Sequence, residues 1–280
     1  MICHETYYQH ATVEILGTKE NPEYAVFSGK GKFLGVFDDK EAAIAKCDKH
    51  EEDMECQVIE ADAFKWLENK FLCSKTAVVT SLPDESELTA NNKANWAFQS
   101  FKPNGISAMD IYDDFLRAAT KRILDAVHKD SYAVFIQTDR KSNGKWFDKA
   151  YIILDEAKKQ GTSLLSHKII LRKEVDKADL FRPSFSHMLI FSKNGRCGSL
   201  SKSADVITGG KPLYKNGMGA EAVTTVLKFL QSKDIQEICD PFCGHGTVLV
   251  QAKAMGFPVA IGIDIDPDQV VESNKSLGFQ

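Results

Sequence analysis

Two rhythms of apolar residues run along the chain, and the change between them falls near residue 54. Before it, apolar runs at 24–27 and 33–37 flank a Gly-rich turn at 28–31, which is the pattern of a β-hairpin. Asp38 and Asp39 then stand in the place of a helix N-cap ahead of a run of good helix formers, which predicts a helix over 40–49. The acidic stretch 51–55 reads as a linker, so residues 1–53 are expected to form a small α+β appendage made of a hairpin and a helix.

Beyond residue 54 the pattern becomes short β-branched runs separated by amphipathic helical stretches, which predicts an α/β domain over 54–280. Strands are expected at 56–60, 77–80, 132–137, 168–171, 187–191, 235–239 and 259–263. Between them, apolar residues at 111, 115, 116, 119, 123, 124 and 127 line one face of a helix, and 220–230 and 247–255 show the same period. There is no internal repeat and no low-complexity tract.

Composition narrows the class. With 280 residues, 43% hydrophobic and 26% charged, the chain can bury a real core, which sets aside fibrous and disordered classes. No run reaches the roughly 18 to 20 unbroken apolar residues of a membrane span. The first ten residues lack the basic start and apolar middle of a signal peptide, so a cytoplasmic location is expected, with the nucleus also open. The seven cysteines are odd in number and irregularly spaced, which predicts reduced thiols and no disulfide framework. The net charge of −4 hides an asymmetry: 121–215 holds 19 Lys and Arg against 10 Asp and Glu, a net of +9, and the rest carries −13. A basic middle suits either a polyanion partner or a solvated lysine-rich surface.

The chemistry concentrates near the C-terminus. Asp240-Pro241-Phe242-Cys243-Gly244-His245-Gly246-Thr247 follows an expected strand and opens an expected helix. Its glycines let backbone approach a ligand closely, and the helix start behind them offers unpaired amides. About twenty residues on, Gly262-Ile263-Asp264-Ile265-Asp266-Pro267 sets a carboxylate, Asp264, at the tip of the next strand, where a nucleoside-binding βαβ unit holds a ribose diol. The dinucleotide fingerprint Gly-x-Gly-x-x-Gly is not met, because position 249 is Leu. Two metal readings fail on spacing. Cys239, Cys243 and His245 lack a fourth ligand, and the calcium-like Asp264, Asp266, Asp268 series has Gln269 where Gly is required and Lys275 where Glu is required, so no metal is expected.

These two motifs resemble the cofactor-binding half of S-adenosylmethionine-dependent methyltransferases, above all the amino-methyltransferases of DNA and RNA. The resemblance implies S-adenosyl-L-methionine as cofactor, bound by Asp240, Phe242, Gly244, Gly246, Thr247, Asp264 and Ile265. The chain ends about ten residues into the next helix, and the family's remaining strands have counterparts upstream. The segment 58–67 resembles the family's third strand, whose terminal acid contacts adenine, which implies Asp62 and Ala63 at the base. The segment 76–84 resembles the fourth. The implied fold is a Rossmann-like seven-stranded methyltransferase sheet, circularly permuted, with strands in the chain order three, four, five, six, seven, one, two.

Family chemistry sits after the fourth strand, so Ser81, Pro83 and Asp84 are the expected catalytic positions. Leu82 and Asp84 depart from the family's Pro-Pro-aromatic pattern, and Asp84 instead offers a general base or an orienting carboxylate. Asp84 also suits the N-cap of a helix with Glu87 at its third position. The resemblance further implies Asn216 and Gly217 near the methionine end of the cofactor. Arg140, Lys141, Arg182 and His187 are the expected substrate contacts, and Trp146 either stacks on an unpaired base or packs in the interior. The expected activity is methyl transfer to nucleic acid, RNA or DNA. The alternatives are an inactive cofactor-binding subunit that binds nucleic acid, and a protein or small-molecule acceptor.

Overall fold

The computed structural model describes residues 12–17, 22–27, 33–40, 42–43, 56–85, 108–142, 144–174, 176–177, 182–198, 203–214 and 217–278. Its centre is a sheet built from β4 (Gln57–Glu60), β5 (Thr76–Thr80), β6 (Ala133–Gln137), β9 (Ser163–Leu171), β10 (Phe185–Ser192), β11 (Val206–Thr208), β12 (Glu237–Asp240) and β13 (Val259–Asp264). The spatial order is β11-β9-β10-β6-β5-β12-β13-β4. From β4 to β6 all neighbours run parallel, whereas β10 is antiparallel to both β6 and β9. The last two strands of the chain therefore sit in the middle of the sheet, between β4 and β5, two of the earliest strands in the domain.

Every residue of β5 and β6 is buried, as expected of parallel strands covered on both faces. Val78, Ala133 and Phe135 face a layer made by α1 (Ala63–Leu67), α2 (Ala108–Ala126) and α3 (Lys149–Lys159). Ala77, Val79 and Val134 face the opposite layer, made by α4 (Ala220–Gln231), α5 (Thr247–Ala254) and α6 (Pro267–Ser276). The expected apolar face of α2 is the one it buries, through Ile111, Phe115, Leu116, Ala119, Ile123, Leu124 and Val127 just past its end. No helix among the described residues is long and apolar enough to cross a membrane.

All seven expected strands lie in this sheet, and β11 adds an eighth, paired in parallel with β9 through three residues. The stretch around Arg140 forms a small hairpin of β7 (Arg140–Ser142) and β8 (Lys145–Phe147). Near the N-terminus, β1 (Thr12–Gly17), β2 (Pro22–Phe27) and β3 (Phe33–Phe37) form a separate antiparallel sheet, so the expected hairpin is present with an added strand. Asp39 Oδ2 accepts from Ala42 N at 2.9 Å, the expected N-cap. The rest of that helix and the linker lie outside the described residues. This small sheet meets the domain at Phe71, whose ring lies 6.2 Å from that of Tyr24 and 3.4 Å below Lys40 Nζ.

Candidate functional site

Four adjacent parallel strands end at one edge of the sheet, and each delivers a polar group there. Register pairs Asp240 with Gly262 and Asp264 with Glu60, so Asp62, Asp240, Asp264 and Ser81, distant in sequence, follow neighbouring strand ends. Asp264 clasps the glycine loop: its Oδ2 accepts from Gly244 N at 2.8 Å and its Oδ1 from Asp266 N at 2.9 Å. Ser273 on α6 donates to Gly244 O at 2.6 Å, closing the loop from the other side. Gly246 stands at φ +78° as the N-cap of α5, a left-handed backbone that favours glycine. Thr247, the first residue of α5, is buried.

The second carboxylate comes from β4. Ala61 N donates to Asp264 O at 3.0 Å, which ties the two strand ends together. Asp62 then caps α1, accepting from Phe64 N at 3.0 Å, and burial raises its carboxyl above the ordinary value. Ala63 is buried and Ile265 half-buried beside these caps. Phe64 forms a ring trio with Phe115 at 5.6 Å and Phe242 at 6.3 Å, so it belongs to the core and supports the site from beneath. On the far side of the loop, Gly217 lies so close to α5 that an added Cβ would stand 3.3 Å from Thr247 Oγ1. Tyr214 stacks on His245 at 5.3 Å. Asn216 lies outside the described residues.

Asp240 is fully buried. Its Oδ1 accepts from Thr80 Oγ1 at 2.6 Å and from Phe242 N at 3.2 Å, while Oδ2 is buried with no hydrogen-bond partner among the described residues. Burial pushes this carboxyl up to about 7. Burial also drives the thiols of Cys239 and Cys243 up from the ordinary thiol value.

The segment after β5 is gripped at four consecutive residues. Gln137, buried at the end of β6, donates to Leu82 O at 3.1 Å and accepts from Leu82 N at 2.9 Å. Tyr112 donates its hydroxyl to Pro83 O at 2.8 Å. Lys149, only 1% exposed, pairs with Asp84, and Arg140 pairs with Glu85. Helix begins at Glu85, directly after Asp84 as expected of an N-cap, and its continuation with Glu87 lies outside the described residues. Ser81 is half-buried at the head of this loop.

The expected substrate contacts lie at the same end of the sheet. His187 pairs across β10 with Gln137, and its Nε2 lies 3.1 Å from the buried Asp139 Oδ2. Asp139 also accepts from Trp146 Nε1 at 3.0 Å and from Lys149 N and Ala150 N at 2.9 and 3.2 Å, and these bonds hold its carboxyl below the ordinary value against the opposing effect of burial. Lys141 places Nζ 5.4 Å from the Trp146 ring centroid, and Arg182 is exposed just ahead of β10. Gln137, Asp139 and Lys149 shape this region without belonging to any motif. The sequence signal for Gln137 is a polar residue closing an apolar strand, and Lys149 carries none.

No family model matches the sequence, and no curated protein matches it. Solved structures do match its fold. A candidate DNA modification methylase from Thermus thermophilus, complexed with S-adenosyl-L-methionine, aligns over 80% of this chain and 93% of its own, at 14% identity and a TM-score of 0.57. The cytosine-N4-specific PvuII DNA methyltransferase aligns over 79% and 86%, at 15% identity and a TM-score of 0.57. The M1.HpyAVI complex with the same cofactor aligns over 80% and 100%, at 14% identity and a TM-score of 0.51. This chain has the Rossmann-like fold of those proteins.

Proposed function

We propose that this chain is an S-adenosylmethionine-dependent methyltransferase acting on nucleic acid, built on a circularly permuted sheet. The observation that carries the reading is the clasp of the Gly244 amide by Asp264, with Asp62 and Asp240 at the neighbouring strand ends. In the methyltransferase order, strands three to seven then correspond to β4, β5, β6, β9 and β10, and strands one and two to β12 and β13. Residues 1–53 form an appendage outside this order, in keeping with their separate sheet.

The donor set suits the cofactor. Asp264 and Asp62 are half-buried carboxylates whose oxygens have lone pairs beyond those taken by the backbone amides they hold, suited to ribose hydroxyls and an adenine amine. Gly244, Gly246 and Thr247 present backbone at the start of α5, and Gly217 flanks it. When bound, S-adenosylmethionine supplies a methyl group on a cationic sulfur. The chain's own part is to aim an acceptor lone pair in line and to take one proton. Ser81 and Pro83 line the acceptor position, and Asp84, fixed by Lys149, orients the acceptor or takes its proton. Arg140, Lys141, Arg182 and His187 face a polyanion, RNA or DNA.

The pairing of Asp84 with Lys149 also favours a second reading, a cofactor-binding subunit without turnover, because that carboxylate already has a partner. Calorimetry and labelled-donor transfer to DNA, RNA and protein extracts separate the two. The wild type is expected to bind the donor and label nucleic acid. Asp264→Ala is expected to weaken donor binding by about 1.5 to 3 kcal/mol, the scale of a lost charge-assisted hydrogen bond. Donor binding without label transfer selects the inactive subunit, label on protein or small molecules redirects the acceptor, and unchanged affinity in Asp264→Ala removes the ribose assignment.

A further inference from the structure

Trp146 leaves 48% of its surface exposed, yet it is fixed like a core residue. Its indole N–H is held by Asp139, which is 4% exposed and itself held by the first amides of α3 and by His187. Phe185 lies beside the indole at 6.1 Å and 28°. Phe185 packs edge-on to His187 at 5.2 Å, and His187 meets His167 at 5.1 Å with a ring-nitrogen contact of 2.8 Å. Four rings thus run from the β7–β8 hairpin across β10 to β9.

Leaving a large aromatic in water forgoes apolar burial, and immobilising it there removes conformational entropy. Both costs bring a return when a flat ligand stacks on the ring, because no ordering remains to be done on binding. The row also begins beside the acceptor loop. Arg140 of the same hairpin holds Glu85, and Phe147 stacks on Tyr112 at 5.4 Å, whose hydroxyl holds Pro83. Lys141, the cross-strand partner of Trp146, sets a cation at the ring.

We propose that Trp146, backed by Phe185, His187 and His167, is a stacking site for an unpaired base of a single-stranded nucleic acid. Lys141 exchanges its ring contact for a backbone phosphate when the base arrives. This inference rests on the nucleic-acid reading above and narrows it to strands with free base faces, since bases stacked within a duplex offer none to the indole.

The test uses the full chain, with labelled single-stranded DNA, the RNA of the same sequence and the DNA duplex, titrated by fluorescence anisotropy at fixed salt. Single strands are expected to bind more tightly than duplex. Trp146→Ala is expected to lose about tenfold or more in single-strand affinity, and Trp146→Phe, which keeps a ring, to lose only a few-fold. Equal binding by Trp146→Ala, a preference for duplex, or no single-strand binding by the wild type overturns the proposal. A strand carrying 5-iodouracil, crosslinked by ultraviolet light to the wild-type chain, gives an answer that needs no variant: the adduct is expected on Trp146, and adducts confined to other residues overturn the site. Donor calorimetry runs in parallel. If the wild type takes up no S-adenosylmethionine while strand binding still depends on Trp146, the methyltransferase reading fails and the stacking site stands.

Discussion

At the scale of single residues, the site depends on carboxylates held in unlike surroundings. Asp264 is half-buried and its charge is met by two amides, whereas Asp240 is fully buried with one oxygen lacking a hydrogen bond among the described residues. For Asp240 the folded value of about 7 lies above its ordinary 3.8. Between those two values the folded chain keeps a proton that the unfolded chain has released, so its contribution to stability is full below the lower value and is lost as pH rises towards the upper one. Asp240→Asn keeps an oxygen for Thr80 and Phe242 N but cannot titrate. Urea unfolding at several pH values is therefore expected to show the wild type losing stability relative to this variant from about pH 4 to 7, then running level. A constant difference across that range would mean that Asp240 does not titrate there. From sequence, the place of Asp264 at its strand tip beside the glycine loop was legible, because the two motifs bracket one helix between two strands. The partners of Asp84 and Glu85 were not, because Lys149 and Arg140 reach them from a segment more than fifty residues away.

At the scale of elements, the glycine loop is shaped from below by β13. An added Cβ at Gly262 would stand 2.4 Å from Leu249 Cδ1 and 2.8 Å from Cys243 Sγ, between α5 and the loop itself. Gly262→Ala is expected to cost about 1 to 3 kcal/mol by overpacking. That is a loss of about 2 to 4 °C in melting temperature per kcal/mol. Donor affinity should fall with it, because Cys243 can yield only by moving the loop; thermal melts and calorimetry on one preparation check both, and an unchanged melt would show that the loop gives way freely. β5, β6 and β13 of the central sheet were readable because they are buried along nearly their whole length and so form near-continuous apolar runs. β7, β8 and β11 were not, since each has three residues, too few for an alternation to register, and β11 takes its place through pairing with β9. α3 was hidden because Ile152-Ile153 reads as a strand fragment, and its start is set by the Asp148 cap and the grip of Asp139 on its first amides.

At the scale of the whole molecule, the charge asymmetry seen in the sequence acquires a geometry. The basic stretch 121–215 contains β6, β9, β10 and β11, which together form one side of the sheet, while β4, β13, β12 and β5, with Asp62, Asp240 and Asp264, form the other. On the proposed function, a polyanionic strand is drawn to the basic side and kept from the carboxylates proposed to hold the cofactor. Contacts to phosphates release counterions, so affinity for single-stranded DNA or RNA is expected to fall steeply with salt, each contact adding about 0.7 to the logarithmic slope. The two basic residues of β7 should then separate. Lys141→Ala is expected to flatten the slope by about that one contact, because Lys141 lies at the exposed Trp146 ring. Arg140→Ala is expected to change the slope less, because Glu85 already compensates its charge, and to act instead through the acceptor loop it holds. Titrations at several salt concentrations for the wild type and each variant decide it. Salt-independent binding, or equal slopes in all three proteins, would leave the basic side as solvated surface and turn the search for an acceptor towards neutral molecules.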